Sequence, residues 1–170
     1  MYPVRTGRPP LPWSADVGRV YRVGMRPALR LVLLLALLAS PAVAAERLVG
    51  RARVIDGDTL AVGGVHVRLQ GVAAPEVAHL GLPQDEPGGP QARDFLAELV
   101  EGRTVVCKLT GERTCGRRVG TCMVDGHDIG GKLIEAGLAR DCPRYSHGRY
   151  AAHEREATRR LPLPDYCVPR

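Results

Sequence analysis

Between Arg47 and Val72 the sequence RLVGRARVIDGDTLAVGGVHVRLQGV carries three β-patterns in succession, and this run constrains the fold more than any other stretch. Residues 47–55 alternate apolar and basic side chains, as a strand with one buried face does. Residues 59–62 and 65–72 are β-branched runs separated by Gly63-Gly64, a two-residue hairpin signal. Downstream, the prolines, glycines and acids of residues 77–90 read as an exposed loop. Residues 91–100 place Ala92, Phe95, Leu96 and Leu99 on one face of a helix. Residues 104–109 and 118–124 are strands around a Gly- and charge-rich turn. A short helix over 129–139 ends near Gly137, a polar helix covers 150–160, and a proline-broken tail follows. Five strands with three helices predict an α+β, β-rich chain built on a five-stranded OB-fold barrel. Pattern alone leaves the strand order open.

The barrel does not account for the whole chain. Residues 26–45 run from arginines through the apolar Leu31–Leu38 to small residues, the order of a signal peptide. Residues 25–45 are therefore expected to be an export leader beginning at Met25, and residues 1–24 an unused upstream start. Residues 46–160 form the domain and residues 161–170 a tail. The apolar run is short for a bilayer span, so no stable membrane insertion is expected once the leader is removed. The formal charge of +6 is mostly a property of the leader: residues 1–45 hold six arginines and one aspartate, leaving 18 basic and 17 acidic residues from Glu46 onward. A globally basic surface for nucleic acid is not supported, and any phosphate binding must be local.

All five cysteines lie in the exported part, where disulfides are the default. Without a C-x-x-C pair they do not read as a zinc site. Cys107 and Cys122 flank the second hairpin at similar distances from its tip and are expected to bond across it. Cys142 and Cys167 then tie the last helix and tail to the domain, and Cys115 is left over. The histidines are scattered and read as surface residues.

Acids inside the first β-run are the chemical anomaly. Asp56-Gly57-Asp58 reads as a turn or bulge, and a bulge can aim two carboxylates at one hard cation. Arg68, in an alternating strand, suits a buried phosphate fork. Glu76 follows Pro75, whose ring fixes the backbone. Arg117 and Arg118 follow Gly116 at the second hairpin. The same residues also read as a structural cluster in which the arginines pair with Glu76 and the aspartates.

The segments VIDGDTL, VRLQGVAAPE, GPQARDFLAELV, CGRRVGTCMVDG and AGLAR, in that order, resemble the staphylococcal nuclease (thermonuclease-like) family over roughly residues 50–157. The resemblance implies an OB barrel with three helices and Ca²⁺-dependent hydrolysis of DNA and RNA phosphodiesters. It makes Asp58 the direct Ca²⁺ ligand, Asp56 an acid acting through water, and Arg68 and Arg117 the phosphate-binding arginines, with Arg118 competing if the turn shifts by one. Glu76 becomes the residue that orders or deprotonates the attacking water. The sequence departs from the family at three places. Ala73 replaces a second Ca²⁺ aspartate, which implies weaker or substituted metal, with Asp85 and Glu86 the nearby loop acids. Pro143 and Tyr145 stand where the family has two tyrosines, and Thr114-Cys115 replace its usual hairpin-tip pair.

The leading expectation is an exported (periplasmic or secreted), metal-dependent nuclease or phosphodiesterase, acting on nucleic acid or another phosphodiester as a monomer. The alternative is a catalytically degenerate OB module that binds phosphate, nucleotide or nucleic acid. A third reading is a disulfide-stapled interaction domain of the cell envelope.

Overall fold

A computed structural model describes residues 45–79 and 82–170. The expected upstream start and nearly all of the leader lie outside the described residues. The first strand, β1 (Arg47–Asp56), shows the alternation its sequence prescribes, with Arg47, Val49, Arg51 and Arg53 exposed. Its antiparallel partner β2 (Thr59–Val62) is joined to β3 (Val65–Leu69) through Gly63 and Gly64. Both glycines have positive φ, 54° and 84°, as a two-residue hairpin of the primed type requires.

β5 (Thr104–Thr114) lies against the other edge of β1, and β6 (Arg117–Val124) against β5. A short β7 (His127–Asp128) follows at the edge, giving the order β3-β2-β1-β5-β6-β7. β3 also pairs in parallel with β6, through Val67–Arg118, Arg68–Val119 and Leu69–Gly120. That pairing closes β1, β2, β3, β5 and β6 into a ring, the expected five-stranded OB barrel. The residues 65–72, read as one strand, divide at Gly71. There the chain takes a φ of 73°, and a Cβ would stand 2.6 Å from Ser146 Cα. Beyond it, β4 (Val72–Ala73) pairs with β8 (Arg140–Asp141) in a separate two-stranded ladder.

The barrel core is Leu60, Val62, Val67, Leu69, Val105, Leu109 and Val124 with the Cys107–Cys122 disulfide, which joins directly opposed positions of β5 and β6. α1 (Gly89–Val100) buries Ala92, Leu96 and Val100 and packs Phe95 and Leu99 at the margin. Each such Leu removed from water contributes about 1.5–3 kcal/mol. α2 (Ile129–Glu135) starts on Asp128, whose carboxylate accepts from the Gly130 and Gly131 amides. It stops just before Gly137 at φ 81°.

The chain between residues 150 and 160 is not one helix. It forms a 3-10 turn (Ala151–His153), an extended Glu154 and a short α4 (Glu156–Arg159), after α3 (Pro143–Ser146). Glu154 is drawn out of helical conformation because its Oε1 accepts from Arg140 Nε (3.1 Å) and the Asp141 amide (3.0 Å). A tertiary contact overrides the local preference. No helix among the described residues is long and apolar enough to cross a membrane.

Candidate active site

The β1–β2 pairing slips between Val54 and Asp56, so a bulge does sit where the acids cluster. It turns both carboxylates inward: Asp58 is 2% exposed and Asp56 8%. Asp56 Oδ1 accepts from the Gly57 amide (2.7 Å) and the Val77 amide (3.2 Å), which ties the bulge to the loop bearing Glu76. Asp58 pairs with Arg68 directly and with Arg117 only through the Thr59 hydroxyl. Arg68 Nη2 stands 2.8 Å from Oδ2. On the other side the Thr59 hydroxyl donates to Oδ1 (2.9 Å) and accepts from Arg117 Nη1 (3.2 Å).

The register explains this convergence. Arg68 faces Thr59 across β2–β3 and Val119 across the parallel β3–β6 pair, so it lies where the barrel closes. Arg117 opens β6 opposite Thr114, after a tip made by Cys115 and Gly116 at φ 46° and 79°. Arg118 points elsewhere and pairs with Glu46. Strand alternation puts Arg117, and not Arg118, on the cleft side.

Glu76 sits on the loop after β4 and is fixed from several directions. Its amide donates to Glu86 Oε2 (3.0 Å), and its carbonyl accepts from the Glu86 amide (2.9 Å). Asp85 likewise accepts from the Ala78 amide (2.7 Å). The two loop acids therefore brace the Glu76 segment and do not replace the carboxylate missing at Ala73. Glu76 Oε1 lies 3.9 Å from Arg68 Nη1, and Oε2 lies 3.3 Å from His79 Nε2. Burial pushes the Glu76 carboxyl up, and a hydrogen bond and charge from Asp56 push it further. Burial also raises the Asp58 carboxyl, against the pull of Arg68.

Arg68, Glu76 and Arg117 line one cleft of about 700 Å³, together with Tyr145, Tyr166 and Cys115. Asp56 and Asp58 are not among its lining residues; they lie behind the arginines. Ala73 is buried against Cys142, Cys167 and Leu163. The expected Cys142–Cys167 disulfide is present and packs on the very position where the family carries its second metal aspartate. Cys115 is free and exposed.

For a divalent cation the donor set is small. Asp58 Oδ2 is buried without a hydrogen bond, with Arg68 at 2.8 Å as its counter-charge, and a buried carboxylate oxygen is the donor type a hard cation takes. Among the described residues no three His, Cys, Asp or Glu side chains are grouped to hold a metal. A cation here would rest on Asp58, helped by Asp56 and water.

Sequence reasoning missed two members of the site. Thr59 follows the two acids in the sequence with no role of its own assigned, and its hydroxyl joins Arg117 to Asp58. Tyr166 comes from the tail, and its one signal was its place beside Cys167.

The fold and cleft define a class: a small OB barrel with guanidinium groups converging at its mouth over buried carboxylates. The chain belongs to the staphylococcal nuclease family, whose homologue model matches residues 66–160. It is 39% identical over 133 residues to the succinoglycan biosynthesis protein ExoI of Rhizobium meliloti, covering 74% of this chain and 69% of that one. It is 33% identical over 94 residues to a probable endonuclease lcl3 of Botryotinia fuckeliana, covering 53% of this chain and 35% of that protein. A probable endonuclease LCL3 of Coccidioides posadasii is 36% identical over 80 residues, 44% of this chain and 25% of the fungal one. The chain thus spans about two thirds of the bacterial relative and between a quarter and 35% of the two fungal ones.

Proposed function

We propose that this domain is an exported, divalent-metal-dependent nuclease that hydrolyses phosphodiester bonds in DNA or RNA. One observation carries the reading: Arg68, Glu76 and Arg117, from three separate segments, meet in one cleft. Hydrolysis builds negative charge on the equatorial phosphate oxygens, which two guanidiniums are placed to stabilise. Glu76, braced by Glu86, orients and deprotonates the attacking water, a contribution of roughly 10²–10⁴-fold. A cation such as Ca²⁺ or Mn²⁺, held by Asp58 and Asp56, would supply further stabilisation of phosphate charge. After removal of the leader the protein acts in the periplasm or outside the cell.

A second reading, a binding module without catalysis, draws on Ala73 being packed against a disulfide. The test is hydrolysis of single-stranded DNA and RNA by the oxidised protein with Ca²⁺, with Mn²⁺ and with chelator. Metal-dependent cleavage that disappears in Glu76→Ala supports the nuclease. A folded protein that retains the nucleic acid through Arg68, yet cleaves with no metal, supports the module.

A further inference from the structure

The tail beyond Arg160 lies outside the family match, yet it reaches the cleft. Pro164 starts a 3-10 turn (Asp165–Cys167), and Cys167, fully buried, is bonded to Cys142 at the start of α3. The residue before that anchor is Tyr166. Its hydroxyl accepts from Arg68 Nη2 (3.2 Å), and its ring centroid lies 6.0 Å from the Arg68 guanidinium carbon. Tyr166 is 45% exposed and lines the cleft together with Tyr145, Glu76 and Arg117. Because its oxygen is the acceptor in that bond, its proton remains to be donated. Burial raises the phenol above its ordinary range, so the proton stays on at neutral pH.

We propose that Tyr166 is a substrate-binding residue, its hydroxyl donating to the phosphate oxygen of a nucleic-acid strand held by Arg68, with the Cys142–Cys167 disulfide fixing it there. The proposal rests on the reading of this cleft as a phosphodiester site. The tail thus supplies a third phosphate contact beside Arg68 and Arg117, in a site whose metal donors are few. A phenol hydrogen-bonded to a charged phosphate contributes about tenfold in affinity. Holding the tail by a covalent tether limits the ordering cost of recruiting it.

The experiment compares the full chain with Tyr166→Phe, Tyr166→Ala and the Cys142→Ala/Cys167→Ala double variant. Binding of inorganic phosphate and of a fluorescent eight-nucleotide single-stranded DNA is read in chelator, and cleavage is read separately with metal. Tyr166→Phe keeps the ring and the disulfide, so its melting temperature should remain close to that of the parent. Both probes should bind roughly tenfold more weakly, and any cleavage should lose KM more than kcat. The disulfide variant, if its circular dichroism remains native, should show the same loss. Unchanged or tighter binding by folded Tyr166→Phe would overturn the proposal, the tighter result marking Tyr166 as a plug over Arg68. A parent that binds neither probe overturns it too. A parent that binds both through Arg68 and Tyr166 but cleaves nothing overturns the nuclease reading and leaves this one standing.

Discussion

Replacing Arg68 by methionine should cost far more stability than a surface ion pair would, because of what it leaves behind. Asp58 is 2% exposed, and its Oδ2 has Arg68 at 2.8 Å as its counter-charge and no hydrogen bond. After Arg68→Met the carboxylate keeps the Thr59 hydroxyl on Oδ1, with Arg117 reaching it only through that hydroxyl. Stranding one partner of a buried pair costs about 3–5 kcal/mol. The residual exposure of Arg68 and the Thr59 bond place this case at the lower end, about 3 kcal/mol. Against a typical total of about 5–15 kcal/mol that is a large fraction. Adding Asp58→Asn removes the stranded charge and should recover about 2 kcal/mol. The assay is urea unfolding in chelator with disulfides intact, comparing midpoints at constant slope across the four proteins. The pH dependence gives an independent check. Burial holds the Asp58 carboxyl above the ordinary aspartate range in the fold, and losing Arg68 lifts it further. A raised folded-state value penalises the charged form, so the deficit is absent below the unfolded aspartate range and grows as pH rises. The two proteins should converge in acid and separate toward neutrality. An Arg68→Met cost below about 1 kcal/mol, or one that is the same with and without Asp58→Asn, refutes the reasoning.

Three other predictions test the frame around the cleft. In Gly89→Ala the new Cβ would collide with the Glu76 carbonyl, whose carbon lies only 2.9 Å from it. Displacing Glu76 should lower kcat by up to about 100-fold while phosphate binding through the arginines persists, and equal losses in both would contradict the placement. Removing the Cys107–Cys122 bond, which spans 15 residues, should cost about 3 kcal/mol by chain entropy. Neither cysteine lines the cleft, so kcat below the melting transition should not change, which steady-state cleavage at low temperature will check. Finally, burial and then Asp56 raise the Glu76 carboxyl from its usual 4.5. Since the base must be ionised, kcat/KM should fall as pH drops through that raised value, and Asp56→Asn should move the acid limb lower. A limb in the ordinary glutamate range would remove Glu76 as the base.

Elements whose signals are local were legible in the residues alone. Alternation over 47–55, the Gly63-Gly64 turn and the apolar face of Ala92 and Leu96 each specify structure within one strand or helix, and each appears as read. The hairpin geometry of Cys107 and Cys122 is equally local, since register fixes which residues of a tight hairpin oppose one another. Tertiary structure decided everything that joins distant segments. The parallel β3–β6 closure, which places Arg68 beside the start of β6, leaves no mark in either strand's pattern. The polar run at 150–160 has helical preference, yet Glu154 is held extended by Arg140 and Asp141. Thr59 and Tyr166 enter the site through partners 58 and 98 residues away. Propensity and periodicity report what a residue favours among its neighbours in the chain. Which charge it faces across a closed barrel is fixed only once the barrel has formed, because burial and register then choose the partner.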